Sequence, residues 1–155
     1  LRSPHRGLSP AQRRFLVARY RIPQPRMRFG SELSHLASAA LDVSDGLVQD
    51  LTHIADVSGV RIVVRSEDVP LSPAAAVLVN VDAKLRSRLL TAGDDYEIAF
   101  TLPRRRLEAC TAAARKTRTR VSVIGAVEAG KGVSVMGRDG LEHALAGGYD
   151  HFRAR

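Results

Sequence analysis

Ala39-Ala40-Leu41-Asp42-Val43-Ser44-Asp45-Gly46-Leu47 is the stretch on which the fold of this chain turns. It closes an apolar segment, sets two carboxylates three residues apart, and leads into apolar residues at helical spacing: Leu47, Val48, Leu51, Ile54 and Ala55. Gly59 supplies the C-terminal stop. A strand over residues 39–43 and a helix over residues 45–58 bring Asp42 and Asp45 toward one side of the turn between them. Ser44 can cap the helix, and the neighbouring backbone N–H groups can meet an anion. Carboxylates and phosphate oxygens are the ligands Mg²⁺ prefers, so the turn suits a metal-bound phosphate. The alternative is an ordinary helix start whose acids favour the helix dipole without any ligand.

A second acidic cluster, Gly93-Asp94-Asp95-Tyr96-Glu97, stands directly before the apolar residues Ile98-Ala99-Phe100. Like charges this close repel one another. A solvated polar turn tolerates them, and a bound cation converts the repulsion into coordination.

Working outward, Val60 and the residues to Arg65 form a β-branched strand that ends at the acidic turn Glu67-Asp68. Ser9-Pro10 and Ser72-Pro73 are helix starts, and Pro23 and Pro25 force an extended path after the first helix. Further helices are expected over residues 32–38, 82–90 and 103–117, the last basic and alanine-rich. A strand is expected over residues 97–102. Two more, over residues 121–127 and 133–136, read as a hairpin joined through Gly130-Lys131-Gly132. Residues 1–8 lack periodicity and read as a flexible lead-in, leaving residues 9–155 as one domain. Irregular alternation of strands and helices favours an α+β fold, a layered α/β/α domain with a mixed sheet flanked by helices, over a regular doubly wound sheet.

With 45% hydrophobic and 26% charged residues in 155, the chain has the balance of a soluble globular domain. Its apolar runs fall far short of the roughly 18 residues that span a bilayer, and a cytoplasmic setting with no membrane partner is expected. The single cysteine, Cys110, excludes an internal disulfide and reads as a buried small hydrophobe. The net charge of +8 is segregated: residues 1–30 carry eight arginines and no acid, whereas residues 31–100 carry five basic and eleven acidic groups. An acidic centre flanked by basic segments suits a phosphate-bearing substrate, although a solvated surface accounts for most of these arginines. Arg104-Arg105-Arg106 at a helix start is either an anion contact or a solvated face. The histidines His35, His53 and His143 are isolated in sequence and form no evident metal site.

Together, Asp42-Val43-Ser44-Asp45-Gly46-Leu47 and Gly93-Asp94-Asp95-Tyr96-Glu97 resemble the C-terminal domain of thiamine-monophosphate kinases. These belong to a superfamily that also holds aminoimidazole ribonucleotide synthetase, selenophosphate synthetase and a hydrogenase-maturation protein. The resemblance extends to the approach from Arg21 to Arg26, to Val69-Pro70-Leu71-Ser72-Pro73, to Val123-Ile124-Gly125, and to the ending Gly148-Tyr149-Asp150-His151-Phe152. It implies Mg²⁺ at Asp42 and Asp45, an ATP-phosphate contact at Ser44, and substrate contacts at Asp94 and Tyr149. Asp94 stands where the family allows Glu or Asp, and the shorter side chain implies a longer or water-mediated contact. Tyr149 resembles the aromatic beside the thiamine rings, and a residue that merely closes the core is the alternative.

The activity implied is transfer of the γ-phosphoryl group of ATP to thiamine monophosphate, giving thiamine diphosphate. Such a transfer relies on metals and positioned donors rather than on a covalent intermediate. The resemblance further implies an N-terminal ATP/Mg²⁺ and dimerisation domain absent from this sequence, and a homodimer in the complete enzyme. Two other readings stand beside it: another ATP-using enzyme of the superfamily, and a non-catalytic basic module that binds nucleic acid. Against the second are the acidic centre, an aromatic content of only 5%, and the lack of a base-reading motif.

Overall fold

Arg61-Ile62-Val63-Val64-Arg65 is the strand around which the larger sheet assembles, because Ile62, Val63 and Val64 are all buried and its two edges are both paired. In the computed structural model, which describes residues 7–143, the helices are α1 (Pro10–Arg21), α2 (Met27–Leu33), α3 (Leu47–Ser58), α4 (Pro73–Val81), α5 (Lys84–Thr91) and α6 (Leu107–Lys116). The strands are β1 (Ala39–Asp42), β2 (Arg61–Arg65), β3 (Ile98–Thr101), β4 (Gly125–Glu128), β5 (Gly132–Met136) and β6 (Glu142–His143), with 3₁₀ turns at Ser66–Asp68 and Arg104–Arg106. The strands divide between two sheets, an antiparallel β1–β3 pair and a mixed sheet ordered β4-β2-β5-β6.

The expected hairpin between the last two long strands does not form. β4 pairs antiparallel with one edge of β2, while β5 pairs parallel with the other. A strand buried on both faces takes the central place, so the Gly130-Lys131-Gly132 link crosses the start of β2 instead of folding back on itself. Gly130 has φ 135°, and a Cβ there would lie 3.1 Å from the Cβ of Arg61, so a bare backbone is what lets the link pass over that residue. Regular pairing of β4 starts only at Gly125, four residues later than expected.

Helix starts follow the local chemistry. The Ser9 hydroxyl accepts from the Gln12 backbone and the Gln12 side chain accepts from the Ser9 backbone, a reciprocal cap for α1. Ser72 caps α4, and α3 ends on Gly59 in the left-handed conformation. The short helix expected over residues 32–38 lies earlier, at Met27–Leu33. There Phe29 and Leu33, four residues apart, bury one face, and the chain turns at Leu36 and Ala37.

β3 is apolar on both faces, and this separates two cores. Leu41 and Ala99 face a core made with α3, β2 and β5, including Val48, Leu51, Ile54, Ile62, Val64 and Val135. Ile98 and Phe100 face a second core with Phe29 and Leu33 of α2 and Cys110, Ala113 and Ala114 of α6. Cys110 is fully buried, as a small hydrophobe should be, and burial pushes its thiol pKa up. The result is a layered α+β domain with helices on both sides of the strand pair that leads into the acidic loops.

The rings of Phe29 and Phe100, 5.9 Å apart and tilted by 58°, join α2 to β3. Phe29→Ala is expected to lower the unfolding free energy by about 3–5 kcal/mol in urea titration. A loss below about 1 kcal/mol would show that the second core does not depend on this contact.

Candidate cation and phosphate site

The two acidic segments meet because the β1–β3 ladder continues past its regular strands. Asp42 is opposite Ile98 in register. Beyond that pair, Val43 N–H donates to the Glu97 carbonyl (2.8 Å), Tyr96 N–H to the Val43 carbonyl (2.9 Å) and Asp94 N–H to the Ser44 carbonyl (2.9 Å). At Gly93 the backbones are so close that a Cβ would stand 2.2 Å from the Ser44 oxygen. Gly46, with φ 121°, packs as tightly on the end of α5, where a Cβ would stand 2.7 Å from the Thr91 carbonyl.

The start of α3 corrects the expected cap. Gly46, not Ser44, is the N-cap, and no side chain caps it there. Instead one oxygen of Asp50, Oδ2, accepts from the backbone N–H groups of Ser44 (3.0 Å), Asp45 (3.1 Å) and Gly46 (3.1 Å). The N–H groups expected to meet an anion therefore already hold one, supplied by the chain. Asp50 is only 4% exposed, and the sequence reading passed it over. The signal was there: an acid in the first turn of α3, set among apolar positions whose helical spacing marks them as core.

Among the sequence-predicted ligands, Asp42 and Ser44 are exposed and Asp45 is half-buried. Carboxylate oxygens of Asp45 and Asp50 and a ring nitrogen of His53 lie within 4.8 Å of one another. His53, isolated in sequence, is thus brought by one turn of helix beside two acids, while Asp42 stands outside this group. Carboxylate oxygens suit a hard cation such as Mg²⁺; of this group Asp45 stands on the loop and is half-buried, His53 is exposed on α3, and Asp50 is buried. Tyr149 and the rest of the tail motif lie outside the described residues.

On the facing loop, Asp94 is exposed at φ 69° and Tyr96 half-buried at φ 53°, so two non-glycine residues hold left-handed backbone on either side of Asp95. Such conformations cost energy, and the bonds from both N–H groups to residues 43 and 44 hold them in place. Asp95 keeps solvent access but is hemmed in by protein atoms. That desolvation, with the charges of Glu97 and Asp94, raises its pKa to about 6 against a weaker opposing effect of Arg19.

Glu97 is ion-paired from the N-terminal segment. Arg26 donates to it from Nε (2.8 Å) and Nη2 (2.6 Å), and Arg19 adds a longer contact at 3.3 Å. The hydrogen bond to Glu97 pushes the Arg26 pKa up. The three arginines at residues 104–106 do not act together: Arg106 donates to the Leu36 carbonyl at 2.9 Å and ties α6 to the turn after α2, while Arg104 and Arg105 are exposed.

The profile of the AIR synthase related protein, C-terminal domain family matches residues 21–138. The chain belongs to this family. Among its relatives it is 37% identical over 138 residues to the thiamine-monophosphate kinase of Pyrococcus abyssi, covering 84% of this chain and 41% of that one. It is 40% identical over 129 residues to the thiamine-monophosphate kinase of Caulobacter vibrioides, covering 80% of this chain and 37% of the relative. The crystal structure of thiamine-monophosphate kinase from Stenotrophomonas maltophilia K279a superposes with a TM-score of 0.77 at 36% identity, over 86% of this chain and 41% of that one. AaThiL complexed with AMPPCP and TMP superposes with a TM-score of 0.76 at 32% identity, over 95% and 44%. The chain thus spans about two fifths of the length of these family members.

Because the folded-state pKa of Asp95 lies above its ordinary 3.8, its contribution to stability is complete below that value and is lost as pH rises through about 6. The stability of the wild type relative to Asp95→Asn is therefore expected to fall across this window. A difference that stays constant with pH in paired denaturation series would contradict it.

Proposed function

We propose that residues 9–155 form the C-terminal domain of a thiamine-monophosphate kinase, which transfers the γ-phosphoryl group of ATP to thiamine monophosphate and yields thiamine diphosphate. The observation that carries this reading is the lacing of Ser44 to Asp94 and of Val43 to Tyr96 and Glu97, which merges two distant acidic segments into one mouth. Similarity to relatives bearing that name supports it.

In this reading Asp42 and Asp45 hold Mg²⁺, which when bound neutralises phosphate oxygens. The exposed Ser44 meets the nucleotide phosphates, Asp94 contacts thiamine monophosphate, and Tyr149 lies beside its rings. Phosphoryl transfer asks little covalent chemistry of a protein; it needs two polyanions held in line while their charge is screened. The laced loops supply carboxylates in fixed positions, and Arg19 and Arg26 pair with Glu97 and offset part of the repulsion. The remaining nucleotide and cation ligands come from an N-terminal domain, with the complete enzyme a cytoplasmic homodimer. No described helix is long and apolar enough to cross a membrane.

Residues 1–155 alone are expected to show negligible turnover. Joined to the N-terminal portion of the Caulobacter vibrioides relative, they are expected to form thiamine diphosphate from Mg-ATP and thiamine monophosphate. Robust turnover by the chain alone would overturn this division of roles, and no product from the folded, joined protein would count against the kinase assignment. In the joined protein, Asp45→Asn should lower kcat at least roughly a hundredfold, about 2.7 kcal/mol of transition-state stabilisation, with little change in unfolding midpoint. An active but destabilised variant would return Asp45 to a purely structural role.

A further inference from the structure

We propose that Asp50 is a positioning residue: its carboxylate fills the backbone cradle at the mouth of α3, so that the Ser44, Asp45 and Gly46 N–H groups are closed to phosphate, which reaches the loop only together with a divalent cation. This rests on the reading of Asp42 and Asp45 as cation ligands.

Three successive N–H groups converging on one point are a site for an anion, and a helix start adds a favourable dipole. Here the convergence point is Asp50 Oδ2, at 3.0, 3.1 and 3.1 Å from the three nitrogens. A carboxylate 4% exposed is costly to bury unless strong donors compensate it, and three charge-assisted bonds do so. An incoming phosphate therefore finds no open cradle. It meets a loop whose own acids, Asp42 and Asp45, repel it, and a bridging cation removes that repulsion. A helix start without Asp50 would bind phosphate through its backbone and would need no metal. Asp50 also fixes the backbone on either side of the Asp45 side chain, through the bonds to the Asp45 and Gly46 N–H groups.

Nitrogen-15 amide spectra of the 155-residue chain test this with inorganic phosphate, formate and Mn²⁺ as probes. In the wild type, phosphate without metal is expected to leave the Ser44, Asp45 and Gly46 amides unmoved, and Mn²⁺ to broaden the Asp42 and Asp45 signals. In Asp50→Ala the cradle is open, so phosphate or formate should shift those three amides saturably. About tenfold more Mn²⁺ should be needed for the same broadening, with formate reversing the loss. Asp50→Asn keeps the shape without the charge and guards against a variant that fails to fold. Its three amides should exchange with solvent at least about tenfold faster while the interior of α3 stays protected.

A merely structural Asp50 would lower stability without creating a phosphate response. The proposal is overturned if metal-free phosphate shifts the wild-type amides, if folded Asp50→Ala ignores both anions, or if Asp50→Asn exchanges like wild type. Absence of Mn²⁺ broadening in the wild type would overturn the cation reading beneath it. None of these readouts uses a nucleotide, a thiamine compound or turnover, so the kinase assignment fails or stands separately.

Discussion

Three main-chain hydrogen bonds, from Val43 to Glu97, Tyr96 to Val43 and Asp94 to Ser44, hold together two segments separated by about fifty residues of chain. They continue a β ladder beyond its regular strands, where Val43 still packs into the apolar core but the residues around it are nearly all polar or acidic. Their geometry depends on Gly93, where the Ser44 carbonyl occupies the space of a side chain. Everything else at the mouth of α3 follows from this forced proximity: acids that would separate in a flexible loop are kept side by side.

The domain meets that repulsion in three different ways. Glu97 is paired with Arg26 in a two-point contact and with Arg19, both from the basic N-terminal segment. Asp50 is buried against three N–H groups. Asp95 is left with a pKa raised first by desolvation and then by the repulsion that remains from Glu97 and Asp94. The segregation of charge along the sequence thereby becomes complementarity in space. α1 buries none of its residues and still reaches the site, through Arg19.

Most elements were legible because local chemistry decides them. The Ser-Pro helix starts, the apolar stripe of α3 with its terminal glycine, and the β-branched run of β2 all formed where the residues indicate. The misplaced features depend on long-range competition. β2 wins the centre of the sheet from both β4 and β5, and no local signal in Gly130-Lys131-Gly132 reveals that it crosses a third strand. Likewise α2 is set by burial of Phe29 and Leu33 against β3 and α6, which a short polar-apolar pattern at residues 32–38 does not disclose. At the site, the two acidic motifs were legible from their sequence, but their meeting was not, because it depends on the long-range pairing of β1 with β3. The cap was not, because Asp50 serves residues four to six positions earlier, where a helix N-terminus ordinarily uses the residue just before it. His53 escaped notice for a related reason, since one turn of α3 is what brings it toward Asp45 and Asp50.

Replacing Gly93 by alanine tests the lacing most directly, with Gly59→Ala as the reference because a Cβ at Gly59 meets nothing within 4 Å. Unfolding free energy and amide exchange would be measured on all three proteins. Gly59→Ala should cost about 1–2 kcal/mol, the ordinary strain of a left-handed residue. Gly93→Ala is expected to cost at least about 3 kcal/mol, in the range of mutations that disrupt a tightly packed backbone, and to abolish protection at the Val43, Asp94 and Tyr96 amides. A Gly93→Ala protein with wild-type protection at those amides and a loss below about 0.5 kcal/mol, the range of inconsequential surface changes, would contradict the view that this contact organises the site.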